Sequence, residues 1–268
     1  MKITSSEKID LWPDGAPFAE NGDGYQPYME SFLVKTGKPS GAVIVLPGGG
    51  YHKKMITYEG RDVCKRLNEY GLNAFMLEYR VSPNRHPAPL LDAAESVRIV
   101  RRNAARWNIR PDKIAVLGFS AGGHLAGSIC VHSGWAEKIL PAKDNVSARP
   151  DAGILCYAVL STQAFGHPGC YKNLLGENPD KALLDKMSLE LNVHSGMPPV
   201  FLWHTATDPV VPVENSLLFA TAMSSKKVPF ELHIYPQGPH GMGMAQGDSC
   251  VSTWVDLCIG WLKKNAFL

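Results

Sequence analysis

The chain has 268 residues, of which 45% are hydrophobic and 19% charged, and its formal net charge is +2. This composition is sufficient for a sizeable buried core and is unlike that of disordered proteins. We predict a single domain over residues 1–268, because large α/β domains often reach this length. Lysine and arginine are scattered instead of clustered, so no nucleic-acid partner is expected.

The first ten residues are polar and mixed in charge. A secretory signal needs an apolar core of about 7–15 residues, which this segment lacks, and no apolar run reaches membrane-spanning length. The sequence therefore predicts a cytoplasmic protein without a membrane partner, and it leaves open whether the chain forms a homo-oligomer. The 6 cysteines include no Cys-x-x-Cys pair, so we expect reduced thiols, no metal and no cofactor.

Short apolar runs alternate with stretches of helical period. Most of the runs lack polar–apolar alternation, as strands do when helices cover both faces of a parallel sheet. The predicted strands are 42–46, 74–79, 113–118, 152–159, 200–204 and 231–235, and the clearest predicted helices are 90–107 and 251–262. The predicted fold is α/β, with a doubly wound, mostly parallel sheet, helices on both faces and a small cap insertion at about 160–197. Ligands bind such sheets beyond the carboxyl ends of the strands.

A Gly-x-Ser-x-Gly pattern, residues 118–122, lies where a predicted strand gives way to a helix of small residues. The serine of such a pattern occupies a sharp turn, and larger residues two positions away would collide with neighbouring backbone. The start of the next helix offers unpaired N–H groups to a developing oxyanion. Such patterns also arise by chance in glycine-rich turns, but the flanking strand and helix favour Ser120 as a nucleophile.

A serine hydroxyl needs a base to take its proton, and histidine suits that exchange near neutral pH. His240 lies in a flexible turn directly after the last predicted strand and is the predicted base. His204 and His233 lie inside predicted strands, and His124 lies on the helix after the serine and is expected to point away from its hydroxyl. His52 follows three consecutive glycines and is expected to line the pocket.

The carboxylate that orients the histidine should follow a strand that precedes the histidine loop. Asp208 has this position, and its predicted role is to hold the imidazole tautomer and stabilise the imidazolium. Glu214 is the nearest rival, although a carboxylate that starts a helix needs no catalytic explanation.

Three consecutive glycines, residues 48–50, end the first predicted strand. They cost backbone entropy, so they indicate unusual dihedral angles or a close approach to a ligand. An N–H of Gly49 or Gly50 is predicted to join that of Ala121 in an oxyanion hole, and the sequence does not choose between the two glycines.

These motifs resemble the α/β-hydrolase superfamily, in which serine, aspartate and histidine follow one another in this order. Within it, lipases and esterases carry His-Gly-Gly-Gly in the glycine loop, whereas Pro47 replaces the histidine here. The segments 47–51, 11–17, 198–205 and 238–241 resemble the acetyl xylan esterase-like branch, and the match runs from about residue 11 to about residue 262. The resemblance implies cofactor-free hydrolysis of short acyl esters, typically acetyl, on carbohydrates through an acyl-enzyme.

The substrate pocket is predicted around Tyr51, His52, Phe165 and Tyr171, and His167 and Cys170 are also placed to narrow it. The expected partner is a small acylated substrate such as an acetylated oligosaccharide. A peptidase or amidase of the same fold is an alternative, since one triad attacks both esters and amides, and so is a binding protein without activity.

Overall fold

The computed structural model describes residues 6–19 and 24–268. Within this part of the chain, eight strands form one sheet in the order β1-β2-β4-β3-β5-β6-β7-β8. They are β1 (Lys8–Asp10), β2 (Tyr28–Phe32), β3 (Ser40–Leu46), β4 (Asn73–Glu78), β5 (Ile109–Phe119), β6 (Ala152–Cys156), β7 (Val200–Thr205) and β8 (Phe230–Tyr235). β3 to β8 run parallel, while β2 pairs antiparallel with β1 and with β4.

Helices cover both faces of the sheet. They are α1 (Asp62–Glu69), α2 (Ala88–Arg102), α3 (Ser120–Ile139), α4 (Pro168–Leu175), α5 (Lys181–Met187), α6 (Glu214–Ser225) and α7 (Trp254–Lys264). Apolar residues of α2, α3 and α6 belong to one buried cluster, and those of α1 and α7 belong to a second. The predicted doubly wound, mostly parallel sheet is confirmed.

The central strands were predictable because they are continuously apolar, and all seven residues of β3 are buried. The prediction for 152–159 is too long, because β6 ends at Cys156 and Tyr157 has a positive φ of 37°. The sequence analysis missed β1 and β2 at the antiparallel end of the sheet. β2 is only five residues long and alternates between half-buried and buried positions over its first four, a weaker signal than a continuously apolar run.

The predicted cap insertion lies between β6 and β7 and contains α4, α5 and a short 3₁₀ turn (Leu189–Leu191). His167 caps the start of α4, where its ring nitrogen accepts a hydrogen bond from the Cys170 N–H (3.1 Å). This segment brings two side chains, those of His167 and Cys170, to the wall of the cavity next to Ser120.

All six cysteines are free thiols, and Cys250 is the exposed one. No helix in the described residues is long and apolar enough to cross a membrane. The same residues contain no cluster of three or more histidine, cysteine or acidic side chains arranged to hold a metal ion.

Candidate active site

Ser120 lies at the sharp junction between β5 and α3. Its φ of 53° is in the left-handed region, which non-glycine residues adopt only under steric constraint. Strain of this kind persists where surrounding packing enforces it, and it is often found at functional sites. A Cβ on Gly122 would lie 2.1 Å from the Leu46 carbonyl oxygen, so the helix after the turn packs directly on β3. Glycine is required at this position by contact with backbone.

Ser120, His240 and Asp208 are connected by two short hydrogen bonds. The Ser120 hydroxyl lies 2.8 Å from His240 Nε2, and His240 Nδ1 lies 2.7 Å from Asp208 Oδ2. With Nδ1 donating to the carboxylate, Nε2 is left as the acceptor for the hydroxyl proton. The structure thus brings together the three side chains that the sequence analysis selected, with the imidazole in the tautomer required of a base.

Asp208 is surrounded by hydrogen-bond donors. Burial alone would raise its pKa, but contacts with His204 and His240 and the N–H groups of Val210 and Val211 hold the pKa well below its usual value of 3.8. His204 Nε2 lies 3.3 Å from Asp208 Oδ2 and 3.0 Å from the Val211 carbonyl oxygen. His204 is fully buried, as expected for a strand residue, and it also supports the carboxylate beside His240.

The glycine loop after β3 is fixed through its carbonyl groups. The Gly48 oxygen accepts from the Met55 N–H, the Gly49 oxygen accepts from Lys53, and the Gly50 oxygen accepts from the Asn173 side chain. A positive φ of 136° at Gly49 makes this path possible, and a Cβ there would lie 2.2 Å from the Lys53 carbonyl oxygen. The loop therefore has one defined conformation beside Ser120.

The amide groups of this loop divide into two kinds. Gly48 N–H donates to Glu59 Oε2 at 2.8 Å and is already used. Gly49 and Gly50 line the cavity, and within the described residues their N–H groups donate to no other protein atom. Ala121 is in the first turn of α3, where N–H groups have no acceptor within the helix. The three predicted oxyanion donors thus lie in the two segments that flank Ser120.

The sequence analysis missed a second buried carboxylate in the site, Glu59. It lies on a single-turn π-helix (Thr57–Arg61), is 2% exposed and lines the cavity with Ser120. Burial raises its pKa, while hydrogen bonds from the Tyr157 hydroxyl and the Gly48 N–H and the charge of His240 lower it, with burial dominant. No motif or spacing marked this residue, because its environment depends on the loops that converge on it.

The cavity at Ser120 has a volume of about 170 Å³. Its wall includes Met55, Val159 and Cys170 on the apolar side, and its mouth includes the exposed side chains of Tyr58 and Val210. Besides these it is lined by Gly49, Gly50, Glu59, Ser120, His167, His240 and Gly241.

None of the four residues predicted to form the substrate pocket lines this cavity. Tyr51 has a φ of 55°, is 1% exposed and donates its hydroxyl to His124 Nδ1, so it belongs to the core. His52 is exposed to solvent. The backbone carbonyl oxygen of Phe165 accepts a hydrogen bond from the Asn215 side chain. Tyr171 is a buried residue of α4, and its ring packs against that of His124.

The rival residues are also accounted for. His124 is buried beneath Ser120, with Nε2 bound to the Met187 carbonyl, so it does not face the hydroxyl. His233 pairs with Glu231 on the edge strand β8. Glu214 is the first residue of α6 and takes no part in the hydrogen bonds around His240.

A mostly parallel sheet with a serine at the strand–helix turn and a histidine–aspartate pair on the next loops defines an α/β-hydrolase. The sequence profile of the BD-FAE family matches residues 31–223, and the chain belongs to this family. The resemblance found in the sequence is confirmed at the level of the superfamily and of this esterase-like branch.

Three relatives give the comparison more detail. The solved acetyl ester-xyloside bifunctional hydrolase of Caldicellulosiruptor lactoaceticus is similar over 98% of this chain and 97% of its own, with 45% identity and a TM-score of 0.92. Endo-1,4-beta-xylanase B of Butyrivibrio fibrisolvens is 37% identical over 91% of this chain and 39% of that protein. Acetylxylan esterase of Xylanibacter ruminicola is 35% identical over 80% of this chain and 43% of that protein. The chain thus spans about two fifths of these two curated relatives.

Proposed function

We propose that this protein is a serine carboxylesterase that removes short acyl groups, above all acetyl, from carbohydrates. The observation that carries the proposal is the hydrogen-bonded chain from Ser120 Oγ to His240 (2.8 Å) and on to Asp208 (2.7 Å). A serine joined to a correctly oriented base is the arrangement that nucleophilic acyl transfer requires.

The reaction proceeds in two halves. His240 Nε2 takes the Ser120 proton as Oγ attacks the ester carbonyl, and Asp208 stabilises the resulting imidazolium. Collapse of the tetrahedral intermediate breaks the bond to the alcohol oxygen, which leaves with the proton from His240. Water then attacks the acyl-serine with His240 again as base, and the acid and free Ser120 are released.

The oxyanion of each intermediate lies between the glycine loop and the start of α3. Ala121 N–H supplies one hydrogen bond, and Gly49 or Gly50 supplies another. The Gly48 amide is excluded from this role because it donates to Glu59. Loss of one such donor commonly lowers turnover by roughly 10²–10³-fold.

The small cavity favours a short acyl group. Its volume of about 170 Å³ and its apolar wall of Met55, Val159 and Cys170 suit a chain of few carbons.

A carbohydrate alcohol is supported by the mouth of the cavity and by the relatives. Tyr58 is 41% exposed there and presents an aromatic ring, a large rigid surface on which a sugar ring can pack. The names of two of the similar proteins, the acetyl ester-xyloside hydrolase and the acetylxylan esterase, refer to acetyl esters and to carbohydrates. Cytoplasmic location stays a prediction from the sequence.

A substrate panel tests the proposal. We expect p-nitrophenyl acetate to be hydrolysed with a higher kcat/KM than the butyrate and octanoate esters, and acetylated xylo-oligosaccharides to release acetate. Faster cleavage of p-nitroacetanilide than of p-nitrophenyl acetate would instead favour an amidase. Failure of a fluorophosphonate probe to label Ser120 would favour a binding protein without activity.

A further inference from the structure

Glu59 joins parts of the active site that come from different loops. Its Oε2 accepts the Gly48 N–H at 2.8 Å, and its Oε1 accepts the Tyr157 hydroxyl at 2.7 Å. Gly48 begins the glycine loop after β3, and Tyr157 follows β6. One buried carboxylate therefore connects the carboxyl ends of two strands that lie on either side of β5, the strand that leads to Ser120.

The connection continues to the histidine loop through Tyr157. The hydroxyl of this residue accepts the Gly243 N–H at 2.8 Å, three residues beyond His240. Its ring also packs edge-on against the His240 ring, with the centroids 5.0 Å apart and the planes at 70°. Tyr157 is 2% exposed, so these contacts are shielded from water.

The carboxylate lies close to the nucleophile itself. The position that a Cβ on Gly48 would occupy is 2.7 Å from Glu59 Oε2 and 3.0 Å from Ser120 Cβ. This spacing leaves no room for a side chain between them. A displacement of Glu59 would therefore move the hydrogen-bonded Gly48, the part of the glycine loop that lies beside Ser120.

Both oxygens of Glu59 already accept a hydrogen bond, one from an amide and one from a phenol. The two donors bind different oxygens, so together they fix the orientation of the carboxylate. The arrangement suits a carboxylate that holds other groups in place, with acceptor capacity for two donors at once.

We propose that Glu59 is a positioning residue that aligns the glycine loop with the histidine loop around Ser120, with Tyr157 as the link to the histidine side. This role rests on the proposed function, because it concerns alignment for attack on an acyl group. The donors of an oxyanion hole act only when they are held where charge develops, so a misplaced loop lowers kcat more than it changes KM.

Glu59→Gln tests the role with little change in volume. A glutamine side chain places an NH₂ donor where one carboxylate oxygen was, so either the Gly48 N–H or the Tyr157 hydroxyl proton loses its acceptor. Tyr157→Phe is the second variant: it removes the bonds of the hydroxyl to Glu59 and to Gly243 and leaves the bond between Gly48 and Glu59. Loss of alignment of about 1 Å can lower turnover by about 10²-fold.

Glu190→Gln is the matched control. Glu190 is also a partly buried carboxylate, and it accepts from the Ser161 and Ser188 hydroxyls at 2.6 Å and 2.8 Å, but it does not line the cavity. We expect Glu59→Gln to lower the kcat for p-nitrophenyl acetate by roughly 10–100-fold with KM changed by less than about threefold. Tyr157→Phe should lower kcat by about tenfold, and Glu190→Gln by less than twofold.

Thermal unfolding and the rate of fluorophosphonate labelling of Ser120 complete the experiment. A slower labelling rate in folded Glu59→Gln supports the role, because labelling also needs the aligned loops. A wild-type kcat in folded Glu59→Gln overturns it, and if that variant does not fold, a wild-type kcat in Tyr157→Phe overturns it. Wild-type protein that is labelled but hydrolyses no ester would refute the proposed function alone, and the labelling rates of the variants would still decide the role of Glu59.

Discussion

Two buried carboxylates, Asp208 and Glu59, belong to the site around Ser120, and their environments differ. On the histidine side, burial would raise the pKa of Asp208, but contacts with two histidines and two backbone amides hold it well below 3.8. On the oxyanion side, Glu59 has one amide and one phenol as donors, and burial keeps its pKa above the ordinary value of 4.5. Burial acts to raise the pKa of both carboxylates, and only at Asp208 do the donors together outweigh it.

This difference separates two tasks within one site. Asp208 faces a histidine that becomes positively charged during the reaction, so a firmly ionised carboxylate is needed there. Glu59 faces neutral donors and serves to hold backbone. Four changes test this division, from the largest expected effect to the smallest.

Ser120→Ala removes the hydroxyl oxygen, which is the nucleophile that both the histidine side and the oxyanion side of the site assist. We expect kcat for p-nitrophenyl acetate to fall by about 10⁴-fold or more, because the base and the oxyanion donors then have no nucleophile to assist. Ser128→Ala is the control on the same helix: its hydroxyl is buried and has no hydrogen-bond partner among the residues that the structure describes, so activity should be unchanged. Equal rates for wild type and Ser120→Ala would exclude the proposed mechanism.

Asp208→Asn breaks the histidine side. An asparagine keeps the shape but removes the charge that stabilises the imidazolium, and it permits the wrong tautomer of His240, so kcat should fall by roughly 10³–10⁴-fold. Glu214→Gln should keep at least half of the wild-type kcat. A comparable loss in the two variants would shift the role of orienting carboxylate away from Asp208.

Gly122→Ala tests the packing that both sides share. Its Cβ would lie 2.1 Å from the Leu46 carbonyl oxygen, so the start of α3 must move away from β3. We expect the free energy of unfolding in urea to fall by about 3 kcal/mol or more. Gly260→Ala in α7 meets nothing within 4 Å and should raise that free energy by about 0.5–1 kcal/mol. An unchanged urea midpoint for Gly122→Ala would contradict the packing described for this turn.

His124 lies on α3 one helical turn after Ser120 and is a titratable group whose pKa is set mainly by burial. Burial lowers its pKa from 6.5 to about 4, against the opposing effect of the Met187 carbonyl. Between these values the unfolded chain binds a proton that the folded protein does not. The free energy of unfolding should therefore fall as the pH drops from about 6.5 to about 4, by at most about 3 kcal/mol.

Urea unfolding of wild type and His124→Asn at pH 7.5 and pH 5 measures this contribution. The variant should lose less stability on acidification than wild type. Some acid sensitivity should remain, because burial also lowers the pKa values of His86 and His132 to about 4. An identical loss in the two proteins would show that His124 does not contribute.

The sequence predicted the parts of the site that depend on one loop each. Ser120 and Asp208 follow strands that end in buried residues, and His240 follows the edge strand β8. Parallel strands bring such loops to the same edge of the sheet. Their selection required only chain order and residue type. The same reasoning located the glycine loop. It did not predict that the Gly48 N–H donates a hydrogen bond to the Glu59 side chain.

The parts that were missed depend on backbone angles and on contacts between loops. Tyr51 follows the glycines in sequence, as a pocket residue would, but a φ of 55° turns it into the core. Tyr157 was predicted to continue a strand, whereas its positive φ places it under His240. The hydrogen bonds of Glu59 form only where its own segment meets the loops that carry Gly48 and Tyr157. Residue type and spacing along the chain do not predict which loops come into contact in the fold.

Cys170 gives the wall of the cavity a chemical property of its own. Its thiol is 1% exposed, and burial raises its pKa well above 9.0, so almost no thiolate forms at neutral pH. Reagents that alkylate thiolates should therefore react at the exposed Cys250 and leave the cavity intact. A fluorophore could be attached to the surface of the working protein through one native residue, while serine-directed reagents report on the site independently.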